Sequence, residues 1–154
     1  MVRALPRALL AVMVMTACSV SVSTSEPDTE DDRRFDQLVA DFESDNDVLQ
    51  PGQAECNRGG EAQACGDSSL AIASMVDQYL PQLEEAGDKT SNRPAAREFI
   101  AALELYVEGL RERTNGMAFD DNELFQQGNA KVNQAVELWA AARDDLRQQA
   151  SNSD

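Results

Sequence analysis

Asp41, Glu43, Asp45 and Asp47 are the residues whose spacing first suggests chemistry, because carboxylate oxygens at close intervals are the ligands of calcium loops. A calcium-binding EF-hand also needs glycine at its sixth position and glutamate at its twelfth; counted from Glu43, those places hold Val48 and Ala54. The run therefore reads as solvated acids at a helix end, with no metal assigned to it. The sequence contains no histidine, which removes imidazole as general base, as activator of a nucleophile and as metal ligand. Histidine-dependent hydrolases, most catalytic zinc sites and di-iron bundles built on Glu-x-x-His go with it. Carboxylates are numerous enough for a glycosidase-type acid/base pair, but nothing singles one out, and serine with Lys89 or Lys131 lacks a local motif. Tyr79, Tyr106 and Trp139 could line a small-molecule cavity, although aromatics at helical spacing more often fill a core. Gly59-Gly60 stand alone, without the pattern of a phosphate-cradling loop. The expectation is a protein that is not an enzyme and carries no cofactor.

The elements that position these residues must fit in 154 residues, room for one modest domain plus processing and linker segments. Charge is the dominant surface property, with 28 acidic residues against 13 basic and a net of −15. A field of that sign repels phosphate-rich polymers and anionic head groups, so nucleic acid is not an expected partner and basic partners or cations are. The alternative, and the favoured reading of any solvated charge excess, is that the acidity only keeps the domain soluble.

At the N-terminus Arg3 and Arg7 precede a short apolar run over 8–15, followed by Thr16-Ala17-Cys18, the layout of a secretory signal. The run is about half of the roughly 20 residues that span a bilayer. Met15-Thr16-Ala17-Cys18 resembles the lipobox of bacterial lipoproteins, with Met15 where that family usually has leucine; ordinary signal-peptide cleavage a few residues later is the alternative. The resemblance covers the first eighteen residues and implies that Cys18 becomes the lipid-modified first residue of the mature chain. Losing Arg3 and Arg7 with the leader leaves 11 basic residues against 28 acidic, a net of −17. Several acyl chains on one cysteine would hold the chain firmly, where a single myristoyl chain gives reversible attachment.

With Cys18 assigned to lipid, the remaining Cys56 and Cys65 are expected to form a disulfide, which persists outside the cytoplasm and would stabilise the fold by about 3 kcal/mol. A redox or metal-binding dithiol is the less favoured reading, since no third thiol or histidine lies nearby. The Ser/Val/Thr stretch over 19–25 and the acids that follow read as a flexible tether with a reach of roughly 20 Å.

Helical periods then predict four helices. The first covers 31–46 on Phe35, Leu38, Val39 and Phe42. The second covers 68–86 on Ile72, Val76, Tyr79 and Leu83, with Asp67 or Ser68 as cap, Gly87 as terminator and a break or kink at Pro81. A third, over 94–113, repeats Ala96, Leu103 and Leu110 by seven and stops before Asn115-Gly116. The fourth, over 121–148, repeats Phe125, Val132, Trp139 and Leu146 by seven, with a seam of Gly128, Ala135 and Ala142 and a capping box in Asp120 and Glu123. Ala95, Ala102 and Gly109 supply a matching small-residue row, so the last two helices are expected to pack closely as a hairpin. A longer crossing over 48–66 is expected between the first two helices.

The fold class expected is all-α, a small up-down bundle of three to four helices with one disulfide-stapled loop. The chain divides into a signal peptide over 1–17, the lipidated Cys18 with an acidic tether over 18–30, and a helical domain over 31–150. The function expected is that of an extracytoplasmic, membrane-anchored lipoprotein whose domain serves protein interaction with a basic or envelope partner. The alternative is a lipoprotein that binds a small ligand or a divalent cation.

Overall fold

Apolar residues recurring every three or four positions wind the chain into α1 (Glu30–Asn57), α2 (Ala62–Gly87), α3 (Arg93–Ala118) and α4 (Asn122–Ser151). The computed structural model describes residues 29–57 and 61–151, with side chains to 54 and from 61 to 148; Cys18, the leader and the tether to 28 lie outside the described residues. Among the described residues there is no strand, and the expected all-α bundle is what forms. Arg34 meets Glu85 and Gln53 meets Ser69, which makes α1 antiparallel to α2. Asp88–Arg97 and Asp77–Arg111 do the same for α2 and α3, and Gly109 facing Gly128 and Gly116 facing Asp121 for α3 and α4. No helix among the described residues is long and apolar enough to cross a membrane.

α1 runs eleven residues past the expected end at Asn46, straight through Pro51, so most of the expected crossing over 48–66 is helix. The reason lies in its two buried rows. Phe35, Phe42 and Leu49 repeat by seven, and beside them Val39 is continued by Asn46 and Gln53, polar residues only 4% and 5% exposed. A hydrophobic period loses the helix where amides take over its core positions. Its start is fixed by a reciprocal capping box: Asp32 N donates to Thr29 Oγ1 at 3.1 Å and Thr29 N to Asp32 Oδ2 at 2.9 Å.

α2 likewise begins six residues before the expected 68, because its first buried positions are Cys65 and Ser69 rather than large apolar residues. Neither Asp67 nor Ser68 caps it; Glu61 stands at the N-cap without a side-chain hydrogen bond. Pro81 does not break the helix, which continues to Gly87. The proline ring is exposed, so the carbonyl it leaves unbonded, that of exposed Asp77, can be met by water.

Two further expectations at the last turn are corrected. Asn115-Gly116 lies inside α3, and the residue in the left-handed region is Asp120, with φ 53°. Asp120 and Glu123 form no capping box; the cap is Asp121, whose Oδ1 accepts from Leu124 N at 3.0 Å. Gly116 serves proximity instead: a Cβ there would lie 2.4 Å from Phe125 N.

That proximity continues along the whole hairpin. A Cβ on Gly109 would lie 2.8 Å from Val132 N, and one on Gly128 would lie 2.4 Å from Arg113 N. The register set by Gly109 and Gly128 carries Ala102 opposite Ala135 and Ala95 opposite Ala142, all four buried. α3 and α4 thus pack backbone against backbone, as the paired small-residue rows predict. In contrast, the α1 and α4 backbones stay apart, and large side chains fill the space between them. Phe42 and Trp139 meet there at 5.2 Å between ring centroids, and Phe99 stands edge-on to both at 6.2 Å. With Ile72, Val76, Leu83, Leu103 and Leu110 these rings form the dry centre of the bundle.

Glycine-to-alanine replacement ordinarily favours a helix by about 1 kcal/mol, but at Gly109 or Gly128 the methyl would strike backbone that cannot yield. Each substitution is expected to destabilise by about 1 to 3 kcal/mol. Gly66→Ala, whose Cβ would meet Thr114 Cγ2 at an ordinary 3.6 Å, should be neutral or stabilising. Urea denaturation followed by Trp139 fluorescence measures all three.

Candidate functional site

The structure scatters the residues that the sequence singles out for chemistry. Asp41 and Asp45 lie on the α2 side of α1, where Gln37 Nε2 donates to Asp41 at 2.7 Å and Tyr79 Oη donates to Asp45 at 2.6 Å. Glu43 turns the other way and pairs with Arg143 at 2.8 Å. Asp47 is exposed. Among the described residues no group of three acids or cysteines is placed to hold a metal ion. Lys131 sits between Glu108 at 2.7 Å and Glu112 at 2.6 Å, and Lys89 is paired with Glu85 at 2.8 Å, so each amine faces carboxylate rather than a serine.

Tyr106 and Trp139 belong to the aromatic cluster, their rings 6.3 Å apart, and Tyr79 packs against Phe42 at 5.6 Å. They fill space that a ligand would need. Trp139 Nε1 is buried with no acceptor among the described residues, a cost of about 1 to 3 kcal/mol. Cys65 is buried in the first turns of α2, its carbonyl accepting from Ser69 Oγ at 2.9 Å. The Cys56 side chain, like Cys18, lies outside the described residues.

Two polar constellations were not anticipated from the sequence. The first joins the start of α1 to the turn between α2 and α3. Asp32 Oδ1 accepts from Ser91 N at 2.7 Å, from Ser91 Oγ at 3.0 Å and from Thr90 Oγ1, while Oδ2 serves the capping box. Burial alone would raise the pKa of this carboxyl, but the hydrogen bonds from Thr90, Thr29 and Ser91 outweigh it and hold the group well below the usual aspartate range.

The second lies at the opposite end and ties three helices together. Arg113 of α3, 6% exposed, donates through Nη2 to Gln53 of α1 and to Ser69 Oγ of α2 at 2.7 Å. Gln53 Nε2 in turn donates to Ser68 Oγ at 3.2 Å and to Ser69 Oγ at 3.1 Å. Burial lowers the Arg113 pKa, and the facing Tyr106 phenol opposes that shift. Its signal in the sequence was the continuation of the Val39 row by Asn46 and Gln53, and of the α3 stripe by Arg113 three places after Leu110.

Both tyrosines of the chain resist ionisation. The hydrogen bond to Asp45, then desolvation, pushes Tyr79 up to about 12, and burial raises Tyr106 against the opposing influence of Gln50 and Arg113. The raised Tyr79 value favours the folded state below the ordinary tyrosine range near 10, a contribution lost as the pH climbs through about 12, and the upward shift of Tyr106 acts in the same direction. Ultraviolet titration of the folded chain should therefore show less phenolate at about pH 10 than the same chain unfolded in urea. Asp32 gives the acid counterpart: its lowered pKa stabilises the fold above the ordinary aspartate value and ceases to do so as the pH falls below about 4. Asp32→Ala should cost about 1 kcal/mol at neutral pH, discounted for the solvent that reaches the carboxylate, and the gap to the unaltered chain should close in acid. Thermal melts at several pH values test this.

No protein-family model, curated protein or solved structure matches the chain, so its own side chains carry the functional reading.

Proposed function

We propose that the chain is a lipoprotein held on the outer face of a membrane through Cys18, with its helical bundle serving as a non-catalytic interaction domain for a basic partner in the cell envelope. The observation that carries the interaction is the exposed surface of α1, where Asp36, Asp41, Asp45 and Asp47 stand in solvent on both flanks of the buried stripe. A packed aromatic centre, lysines committed to carboxylates and the lack of histidine all favour binding over catalysis. Carboxylates arrayed on one exposed helix attract a basic surface over roughly a Debye length, about 8 Å at physiological salt.

The covalent part of this reading comprises the acyl group on Cys18 and a Cys56–Cys65 disulfide that would close the short connection between α1 and α2. Intact mass of the membrane-extracted protein should correspond to a chain beginning at Cys18 with acyl chains attached, and Cys18→Ser should release the protein from the membrane. The other two cysteines should react with a thiol reagent after reduction and not before. A soluble species that retains Met1 and three free thiols would sink the anchoring. Crosslinking on intact membranes should capture a basic envelope protein, and Asp41→Lys with Asp47→Lys should abolish that product while leaving the melting temperature within a few degrees. Capture undiminished by the double variant, or by about 1 M salt, which shortens the screening length to about 3 Å, would refute the acidic surface as the contact.

A further inference from the structure

We propose that the outer face of the α3–α4 hairpin is a docking surface for a basic amphipathic helix of a partner protein. The face is a product of the small-residue seam. Because Gly109 and Gly128 bring the two backbones together, the stripes on the outer side of that seam lie next to each other and form one surface. On α3 the stripe is Glu98, Leu105, Glu112 and Phe119, spaced by seven; on α4 it is Leu124, Lys131, Leu138 and Asp145, spaced likewise. Lys131 joins the two, since its Nζ reaches Glu108 at 2.7 Å and Glu112 at 2.6 Å. The opposite flank of the seam carries Phe99, Tyr106 and Trp139 into the core, and α2 meets α3 at Ile100 and Arg111, so the outer face is turned away from both.

Large apolar side chains stand in solvent on this face: Phe119 is 78% exposed and Leu138 47%. Of the five phenylalanines Phe119 is the one left exposed, although its backbone is fixed. Its N–H donates to the Asn115 carbonyl at 3.0 Å, and Asp121 N–H donates to the Gly116 carbonyl at 2.8 Å. A side chain held out on a locked turn loses little backbone freedom when a partner covers it. Leu105 and Leu124 are half-buried and extend the apolar strip. Around it, Glu98, Glu108, Glu112 and Asp145 set four negative charges against the single positive charge of Lys131. Apolar groups with an acidic surround decide the occupant. A second copy would bring the same acid excess, and two chains of net charge −15 repel each other; an anionic membrane is disfavoured for the same reason. A helix with large apolar side chains on one side and lysine or arginine beside them satisfies both features, its apolar groups seated on Phe119 and Leu138 and its cations on the carboxylates. From Leu124 to Asp145 the face runs about 30 Å, the length of a helix of about 20 residues.

This surface is separate from the carboxylates of α1 and does not depend on the anchor. The test uses the full chain carrying Cys18→Ser, so that no lipid or detergent competes, and a fluorescein-labelled synthetic helix of about 20 residues with leucines on one side and lysines on the other. Fluorescence anisotropy should rise saturably. The double variant Phe119→Ser, Leu138→Gln should weaken binding by about tenfold, while its circular dichroism and melting temperature stay close to those of the unaltered chain. Asp41→Lys with Asp47→Lys should change the affinity by less than about threefold, which separates this face from the contact proposed for α1. A scrambled peptide of the same composition that binds equally well would reduce the effect to bulk charge and overturn the proposal, as would affinity undiminished in the double variant or lost only in the α1 variant. A dimer of the chain in sedimentation equilibrium that the double variant abolishes would make a second copy the occupant, and that too would overturn it.

Discussion

The approach of α4 to α3 constrains everything else in this bundle. Where Gly109 and Gly128 face each other and Gly116 faces Phe125, backbone meets backbone without a side chain between, and the apolar groups that ordinarily sit there are displaced sideways. Phe125, Val132, Trp139 and Leu146 consequently flank the seam rather than fill it. Trp139 reaches across to Phe42, and that single ring contact with the Glu43–Arg143 pair beside it spans the wider gap to α1. Tight packing on one side therefore goes with aromatic packing on the other, where the indole N–H finds no acceptor among the described residues.

Polar groups decide how α1 sits on this frame. Its buried rows are apolar near the start and amide-bearing near the end, and the amides meet hydroxyls of α2 and the guanidinium of α3. A sliding apolar stripe would tolerate a shift of one turn. Gln53 and Arg113 would not, since each would lose its bonds together with the desolvation already incurred. At the other end Asp32 performs the same office through the turn at Thr90 and Ser91. α1 is pinned at both ends by polar contacts and packed in the middle by phenylalanines.

Most of the architecture was legible in the sequence because its large apolar residues keep helical spacing: Phe35, Phe42, Ile72, Val76, Leu103 and Leu110 are all buried as their positions imply. Helix ends were misplaced wherever core positions are held by Asn46, Gln53, Cys65 or Ser69, residues that an apolar period cannot register. Pro81 and Asn115-Gly116 misled for a related reason, since a breaker acts only if the surrounding packing lets it. The close hairpin was readable from paired small residues, whereas the Arg113 network was not, because its partners lie 44 and 60 positions away.

The polarity of the bundle gives attachment a direction. α1 begins at the end that holds Thr29, Asp32 and the turn at Thr90, and its 28 residues rise about 42 Å to the end that holds Gln53 and Arg113. A chain fastened upstream of Thr29 would be gripped by one extremity, like a post set in the ground. The end that holds Gln53 and Arg113 would then form the tip, some tens of ångströms beyond the head groups and facing whatever approaches from across the compartment.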